Sequence, residues 1–256
     1  TCRESSIQFK LRNQHKNRSK HEVRNMEETG NSIHLRGHVC QPLQFGHELF
    51  GEQFFVTTLR VPRLSGAEDF LPVTLSERLL IDEPIAAGSV LCLDGQLRSY
   101  NKVVEGSGRL LITAFAQRLL PEEDDENPNR VQLTGALCKA PSYRTTPFGR
   151  EIADLMLAVN RSYGKSDYIP CITWGRTARY AANLKIGDKV QLVGRFQSRN
   201  YQKQLPDGTV LNKVAYEVSV SRLSAMKEDS FSEQLQSMSQ RIPLQDTNML
   251  NRAREY

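Results

Sequence analysis

The sequence predicts an all-β protein built from two copies of a small barrel. The first observation is an internal repeat: residues 31–41 align with 129–139, and residues 69–73 align with 167–171, both at a separation of 98 positions. After one residue of slippage, residues 88–99 align with 187–198. The second observation is the strand-type alternation of apolar residues within each copy. Together they indicate a duplicated domain of about 95 residues.

The elements of the second copy follow from this alternation. It predicts strands at 130–138, 151–160, 168–175, 189–199 and 211–222. Prolines and glycines mark turns at 147–149 and 206–208. The one good helical segment, 177–184, lies between the third and fourth strands. Because this is the strand order of an OB fold, we predict two tandem five-stranded OB-fold barrels, each with a short helix between strands 3 and 4.

Composition divides the chain into five parts. Residues 1–25 are basic and without periodicity, which indicates a disordered arm or an upstream extension. The barrels occupy 26–120 and 129–224, and the acidic, proline-bordered segment 121–128 is interpreted as a linker. The tail, 225–256, is expected to be flexible. Apolar residues at helical spacing between 231 and 242 predict a short amphipathic helix there, and this segment packs on its own barrel, remains disordered or contacts a partner.

The positive charge is concentrated in the second copy. The whole chain carries a net charge of +5, but residues 129–224 carry +9 whereas residues 26–120 carry −3. This distribution is typical of a nucleic-acid-binding module. No apolar run approaches the length that crosses a bilayer, so we expect a soluble intracellular protein with no membrane contact. The five cysteines are scattered and form no C-x-x-C pair, so we expect neither disulfides nor a metal site, and no cofactor.

Single-stranded DNA offers phosphates and exposed base faces, so a nonspecific binder needs cations interleaved with aromatic rings. A period of two places Tyr168 and Trp174 on one face of the third strand, and Arg176 follows. A single aromatic residue on a strand is as often core as ligand platform, so the combination carries the interpretation. The predicted stacking residues are Tyr163, Tyr168, Trp174 and Tyr201, and the predicted cations are Arg161, Lys165, Arg176, Arg195, Arg199 and Lys203. Phe148, at a turn tip, either stacks on a base or pins its loop.

Five motifs of the second copy together resemble the bacterial single-stranded-DNA-binding protein family, in order and at the right spacings: Asn129–Gly135, Tyr143–Gly149, Leu157–Arg161, Asp167–Arg176 and Val193–Arg199. The resemblance implies an OB-fold protein that wraps single-stranded DNA during replication, recombination or repair. It also implies base stacking at Tyr163, Tyr168, Trp174 and Tyr201. Since four OB folds usually act together in that family, it further implies a homodimer, in the cytoplasm and associated with the nucleoid.

The first copy departs from this pattern. Phe70 takes the place of Tyr168, but Ser65, Ser76 and Lys102 stand where the other three aromatic residues would be, and Tyr100 compensates only in part. We therefore expect a weaker DNA surface at Phe70 and Tyr100, and a role mainly in assembly. The acidic, Phe-terminated tip by which the family recruits replication and repair proteins is not found in residues 251–256, which counts against a hub role.

Other functions are less well supported by the sequence. No phosphate-binding loop, nucleophile elbow or zinc-protease motif is found, so we do not expect an enzyme. An OB-fold accessory factor in priming, conjugation or recombination, acting mainly through protein contacts, fits the degenerate first copy but not the complete aromatic set of the second. RNA remains an alternative ligand, because stacking and phosphate contacts do not distinguish the two sugars.

Overall fold

The computed structural model describes residues 30–80, 85–104, 107–121, 127–161, 164–204 and 208–226. The first copy contains β1 (Asn31–Val39), β2 (Gln44–Leu49), β3 (Glu52–Pro62), β4 (Glu68–Ser76), the 3-10 helix η1 (Glu77–Leu79), β5 (Val90–Val104) and β6 (Ser107–Leu120). The second contains β7 (Asn129–Leu137), β8 (Ser142–Thr145), β9 (Glu151–Asn160), β10 (Ser166–Trp174), the helix α1 (Gly175–Ala181), β11 (Lys189–Gln204) and β12 (Val210–Ala225).

Each copy closes into a five-stranded barrel. In the first, β1 pairs with both β3 and β5, which completes the ring β1-β3-β4-β6-β5. In the second, β7 pairs with both β9 and β11 and completes the ring β7-β9-β10-β12-β11. The pairs β4–β6 and β10–β12 are parallel and the other pairs are antiparallel. The predicted all-β fold class is confirmed, and the two closed five-stranded rings are consistent with the predicted tandem OB folds.

The structure refines the predicted elements at their ends. The short strands β2 and β8 pair only with β3 and β9 and stand outside the rings; the sequence analysis did not assign them. Helix α1 begins two residues before the predicted segment, at Gly175, and in the described part of the first copy its counterpart is the single turn η1. No helix within the described ranges is long and apolar enough to span a membrane. The segments 1–25, 122–126 and 227–256 lie outside the described residues.

Glycine is needed where the rings close. A Cβ at Gly135 would lie 2.3 Å from the carbonyl oxygen of Ala158, and a Cβ at Gly37 would lie 2.7 Å from that of Arg60. Gly37 lies where β1 meets β3, and Gly135 lies where β7 meets β9. A side chain there would force the two backbones apart and open the ring.

A buried asparagine begins the first strand of each barrel and bridges to the fourth ring strand of the same copy. The side chain of Asn129 donates to the carbonyl of Phe196 at 2.6 Å and accepts from the N–H of Phe196 at 2.9 Å. Asn31 makes the same pair of hydrogen bonds with Leu97, at 2.8 and 2.9 Å. The amide satisfies two backbone groups beside a buried core and thereby fixes the alignment of these strands.

The two barrels are joined into one continuous sheet. Strand β1 pairs antiparallel with β7, from Asn31 opposite Leu133 to Leu35 opposite Asn129. The central pair is Ile33 and Val131, which occupy equivalent positions in the repeat, and both side chains are fully buried. The chain is therefore a pair of barrels related by pseudo-two-fold symmetry, and their apolar interiors belong to one core.

A second contact between the barrels is a reciprocal pair of carboxylate networks, which we call the clasp. In one half, Asp167 is fully buried and accepts hydrogen bonds from its own barrel's Arg161, at 2.6 Å to Nε, and from the backbone N–H of Ser99 in the first barrel. The hydroxyl of Ser99 in turn accepts the backbone N–H of Tyr168 at 2.7 Å. Arg98 also reaches Asp167, at 3.2 Å.

The other half of the clasp repeats the arrangement with the barrels exchanged. Asp69 is fully buried, accepts from Arg63 at 2.7 Å and from the backbone N–H of Ser198 at 2.8 Å. The hydroxyl of Ser198 accepts the N–H of Phe70 at 3.0 Å. Each barrel therefore accepts a hydrogen bond from the backbone N–H of an aromatic residue of the other barrel. These residues, Phe70 and Tyr168, occupy equivalent positions of the repeat.

The hydrogen bonds of the clasp keep the Asp167 carboxylate ionised. Burial raises the pKa of the Asp167 carboxyl, but the hydrogen bonds from Arg161 and from the Ser99 N–H, with the charges of Arg161 and Arg98, outweigh burial and hold the pKa below its usual range. Ionised Asp167 is thus the state that stabilises the contact between the barrels at neutral pH.

The substitution Asp167→Ala is expected to lower the free energy of unfolding by about 3–5 kcal/mol, because it leaves two partly buried arginines and a buried N–H group without their acceptor. The matched control is Asp154→Ala, which removes a carboxylate that is 39% exposed and paired with Arg144. Asp154→Ala should lower the free energy of unfolding by less than about 1 kcal/mol. Urea denaturation measures both, and equal losses would show that the clasp does not stabilise the fold.

The free energies of unfolding of the wild type and of Asp167→Ala should differ in their pH dependence. Since the pKa of Asp167 is lower in the folded chain than in the unfolded chain, its stabilisation is present above the unfolded pKa of about 3.9 and is lost as pH falls through the folded value. The stability gap between wild type and Asp167→Ala should therefore narrow below about pH 4. A gap that stays constant down to pH 2 would contradict this assignment.

Candidate nucleic-acid interface

Two aromatic rings stand on the outer face of β10. The side chains of Tyr168 and Trp174 are 46% and 39% exposed, and Pro170 lies between them on the same strand face. The indole Nε1 of Trp174 donates to the hydroxyl of Ser219 at 3.3 Å. This bond restrains the edge of the indole and leaves part of the ring in contact with solvent. We call Tyr168 and Trp174 the β10 platform; the sequence analysis predicted both residues for this face.

Tyr201 lies on β11 beside Arg199. Its ring is 37% exposed, and the guanidinium carbon of Arg199 lies 5.9 Å from its centroid. Arg199 also donates to the buried carboxylate of Glu217 at 3.1 Å. This hydrogen bond raises the pKa of the Arg199 guanidinium above its ordinary value. Arg199 is therefore a positive charge held next to an exposed aromatic ring. In such a pair the ring can stack on a nucleotide base while the guanidinium contacts its phosphate.

Aromatic residues also occupy the β8–β9 hairpin, which carries the tip residue Phe148. Phe148 is 91% exposed and makes no ring contact within the described residues, so it does not pin its loop through another ring. Tyr143 is 42% exposed, and its hydroxyl donates to Glu151 at 2.6 Å. The hydrogen bond to Glu151 raises the pKa of Tyr143.

The first barrel presents aromatic residues at several equivalent positions. Phe70 and Tyr100 are 47% and 51% exposed, and the weaker DNA surface assigned to them stays a prediction. Phe45 and Phe50, on the β2–β3 hairpin, are exposed as well, and they are offset by 98 positions from Tyr143 and Phe148. The sequence analysis missed Phe45 and Phe50, although extending the repeat through residues 44–51 would have found them.

The predicted cations differ in their surroundings. Arg161 and Arg195 are part of the clasp: Arg161 binds Asp167 and the Ser99 carbonyl, and Arg195 lies 3.7 Å from Asp69. Lys165 and Arg176 are exposed. Of the remaining predicted residues, Tyr163 and the side chain of Lys203 lie outside the described part of the chain. The nucleic-acid contacts of this set stay predictions.

Comparison with known proteins identifies the second barrel. The family model described as Single-strand binding protein family matches residues 128–226. The second barrel is therefore the part of the chain that matches the single-strand binding protein family, and we call it the single-strand binding domain. The resemblance seen in the five motifs is confirmed, and the single-strand binding domain contains the β10 platform, Tyr201 and the β8–β9 hairpin.

Individual curated relatives match a part of the chain. Single-stranded DNA-binding protein A of Bacillus subtilis is 45% identical over 83 residues, which are 30% of this chain and 48% of the relative. Single-stranded DNA-binding protein 1 of Staphylococcus aureus is 43% identical over 83 residues, which are 30% of this chain and 50% of the relative. The chain thus spans about half the length of the curated relatives it matches.

A solved structure matches beyond the single-strand binding domain. The wild-type single-stranded DNA binding protein from Thermus aquaticus superposes with a TM-score of 0.58 at 21% sequence identity, over 77% of this chain and 93% of that chain. One barrel alone does not account for this coverage, so the shared fold includes both barrels.

Proposed function

We propose that this chain binds single-stranded DNA without sequence preference and protects it during replication, recombination or repair. The observation that carries the proposal is the β10 platform, two half-exposed rings on one strand face of a single-strand binding domain. The curated relatives that match part of this chain are named single-stranded DNA-binding proteins. Binding requires no chemical step, and we propose no catalytic activity.

The proposed mechanism combines stacking with neutralisation of phosphates. Unstacked bases lie against Tyr168, Trp174 and Tyr201, and each base contributes about 1–3 kcal/mol. The net charge of +9 in the second copy attracts the phosphates, with Lys165, Arg176 and Arg199 nearest the rings in sequence. Because phosphate binding releases counterions, affinity falls as salt rises. Tyr163, a stacking position implied by the family resemblance, and Lys203, a cation two residues after Tyr201, complete the proposed set.

Arg161 and Arg195 take a different part in this proposal. Their guanidinium groups are directed at the buried carboxylates of Asp167 and Asp69, so a direct phosphate contact would compete with the clasp. We assign them mainly to positioning: the clasp fixes the backbone of Tyr168 through Ser99 and thereby the start of the platform. Phe70, Tyr100 and Phe148 supply additional, weaker stacking.

The proposed assembly is a homodimer in which four barrels act together, in the cytoplasm with the nucleoid. The paired barrels of one chain already form half of such an arrangement. Replication or repair proteins are the partner class that this function implies. RNA binding is the competing assignment, and it is tested by the titration below.

The substitution Tyr168→Ala is expected to weaken binding of an oligothymidine by about 1–3 kcal/mol, because one stacked base loses its ring. Phe70→Ala is the matched control, since it removes the equivalent ring of the first barrel and should weaken binding much less. Fluorescence of Trp174, the lone tryptophan, reports binding in both variants. The wild type should show strong quenching and an affinity that decreases with salt.

Each alternative gives a different result in the same titration. Equal losses in the two variants would show that both barrels bind alike. Tighter binding of a matched oligouridine would assign the site to RNA. Absence of binding, both by fluorescence and by a mobility shift, would contradict the proposed function and leave a fold kept for protein contacts.

A further inference from the structure

A groove of about 440 Å³ lies between the second barrel and strand β6 of the first. The second barrel contributes part of β8, β9 and β10 and the outer parts of β11 and β12, including Pro170, Tyr201 and Tyr216. The first barrel contributes the four consecutive residues 109–112. This site therefore exists only because the two barrels are joined, and neither copy alone contains it.

The groove is continuous with the β10 platform. Pro170, which lines it, lies two residues after Tyr168 and four before Trp174 and therefore shares their strand face. Tyr201, the third exposed ring of the second barrel, lines the groove as well. A polymer that stacks on the platform thus has a direct path into the groove.

The charges in the groove favour an anion. Its two carboxylates are already neutralised: Asp154 accepts from Arg144 at 2.8 Å, and Glu217 accepts from Arg199 at 3.1 Å. Two further cations, Arg109 and Lys139, also line the groove. Neither forms a salt bridge with a carboxylate of the described residues. The lining therefore has two positive charges in excess.

Arg109 is the residue that crosses the boundary between the barrels. Its Nη2 donates to the backbone carbonyl of Val214 in β12 at 3.1 Å. A guanidinium has five N–H donors, so this one bond anchors the side chain and leaves donors for a second acceptor. The arginine is thus held at the wall of the groove with its charge uncompensated. A phosphate is the acceptor that suits such a group best.

We propose that single-stranded DNA bound on the β10 platform continues through this groove, and that Arg109 of the first barrel contacts one of its phosphates. This proposal rests on the proposed function and extends the DNA site to Arg109 of the first barrel, although the first copy carries a net negative charge. The first barrel then contributes to the DNA site of the second through a charge rather than through its own rings. Lys139 is the second phosphate ligand of the groove.

The test is the salt dependence of oligothymidine binding by the full chain. Arg109→Gln should reduce the slope of log K against log salt by about 0.7 and weaken binding about five-fold at 0.1 M salt, because one phosphate contact is lost. Arg109→Lys keeps the charge and should keep the slope. The matched control is Arg130→Gln, which removes an exposed arginine outside the groove and should change the slope far less.

Three results would overturn the proposal. If the wild type binds and Arg109→Gln leaves its slope unchanged, the groove is not on the DNA path, while the proposed function stands. If Arg109→Gln and Arg130→Gln reduce the slope equally, only overall charge is being measured. If the wild type does not bind, both proposals fail. Arg109 also donates a hydrogen bond to Val214, so its substitution could alter the fold. Equal unfolding temperatures of Arg109→Gln and Arg109→Lys show that a difference in slope comes from the lost charge.

Discussion

The antiparallel pairing of β1 with β7 is the interaction on which the rest of the molecule depends. It places Ile33 against Val131 at the centre of one continuous sheet and brings the two barrels close enough for the clasp to form. Buried carboxylates then stabilise the contact only because each one receives hydrogen bonds from its own arginine and from the partner barrel's backbone. The tandem copies consequently behave as a single body.

This arrangement changes what the first barrel contributes. By sequence it has lost most of the stacking residues, yet it holds the backbone of Tyr168 through Ser99 and forms one wall of the charged groove. A duplicated copy that loses direct contacts can therefore remain necessary as a positioning element. Tyr168 and Trp174 lie on a hydrogen-bonded strand, so the proposed binding of single-stranded DNA requires little ordering of the protein.

The sequence predicted the folds of the separate barrels better than the contacts between them. The repeat and the alternation along β10 were sufficient to place Tyr168 and Trp174 outward, because side-chain direction in a strand has a fixed period. Arg161 was predicted among the DNA-binding cations, which stays a prediction. Its hydrogen bond to the carbonyl of Ser99, 62 positions away, could not be predicted, because alternation and charge give no sign of that contact. The contact of Arg109 with β12 of the other barrel could not be predicted for the same reason.

Ultraviolet crosslinking of the intact chain to a short oligothymidine, followed by mass spectrometry of the crosslinked peptides, tests most directly the claim that one bound strand contacts both barrels. The account predicts crosslinks in β10, at Tyr168 or Trp174, and also in the β6 segment that begins at Arg109. Both should decrease together when unlabelled oligothymidine competes. Crosslinks confined to the second barrel would contradict the account and would restrict the first barrel to assembly.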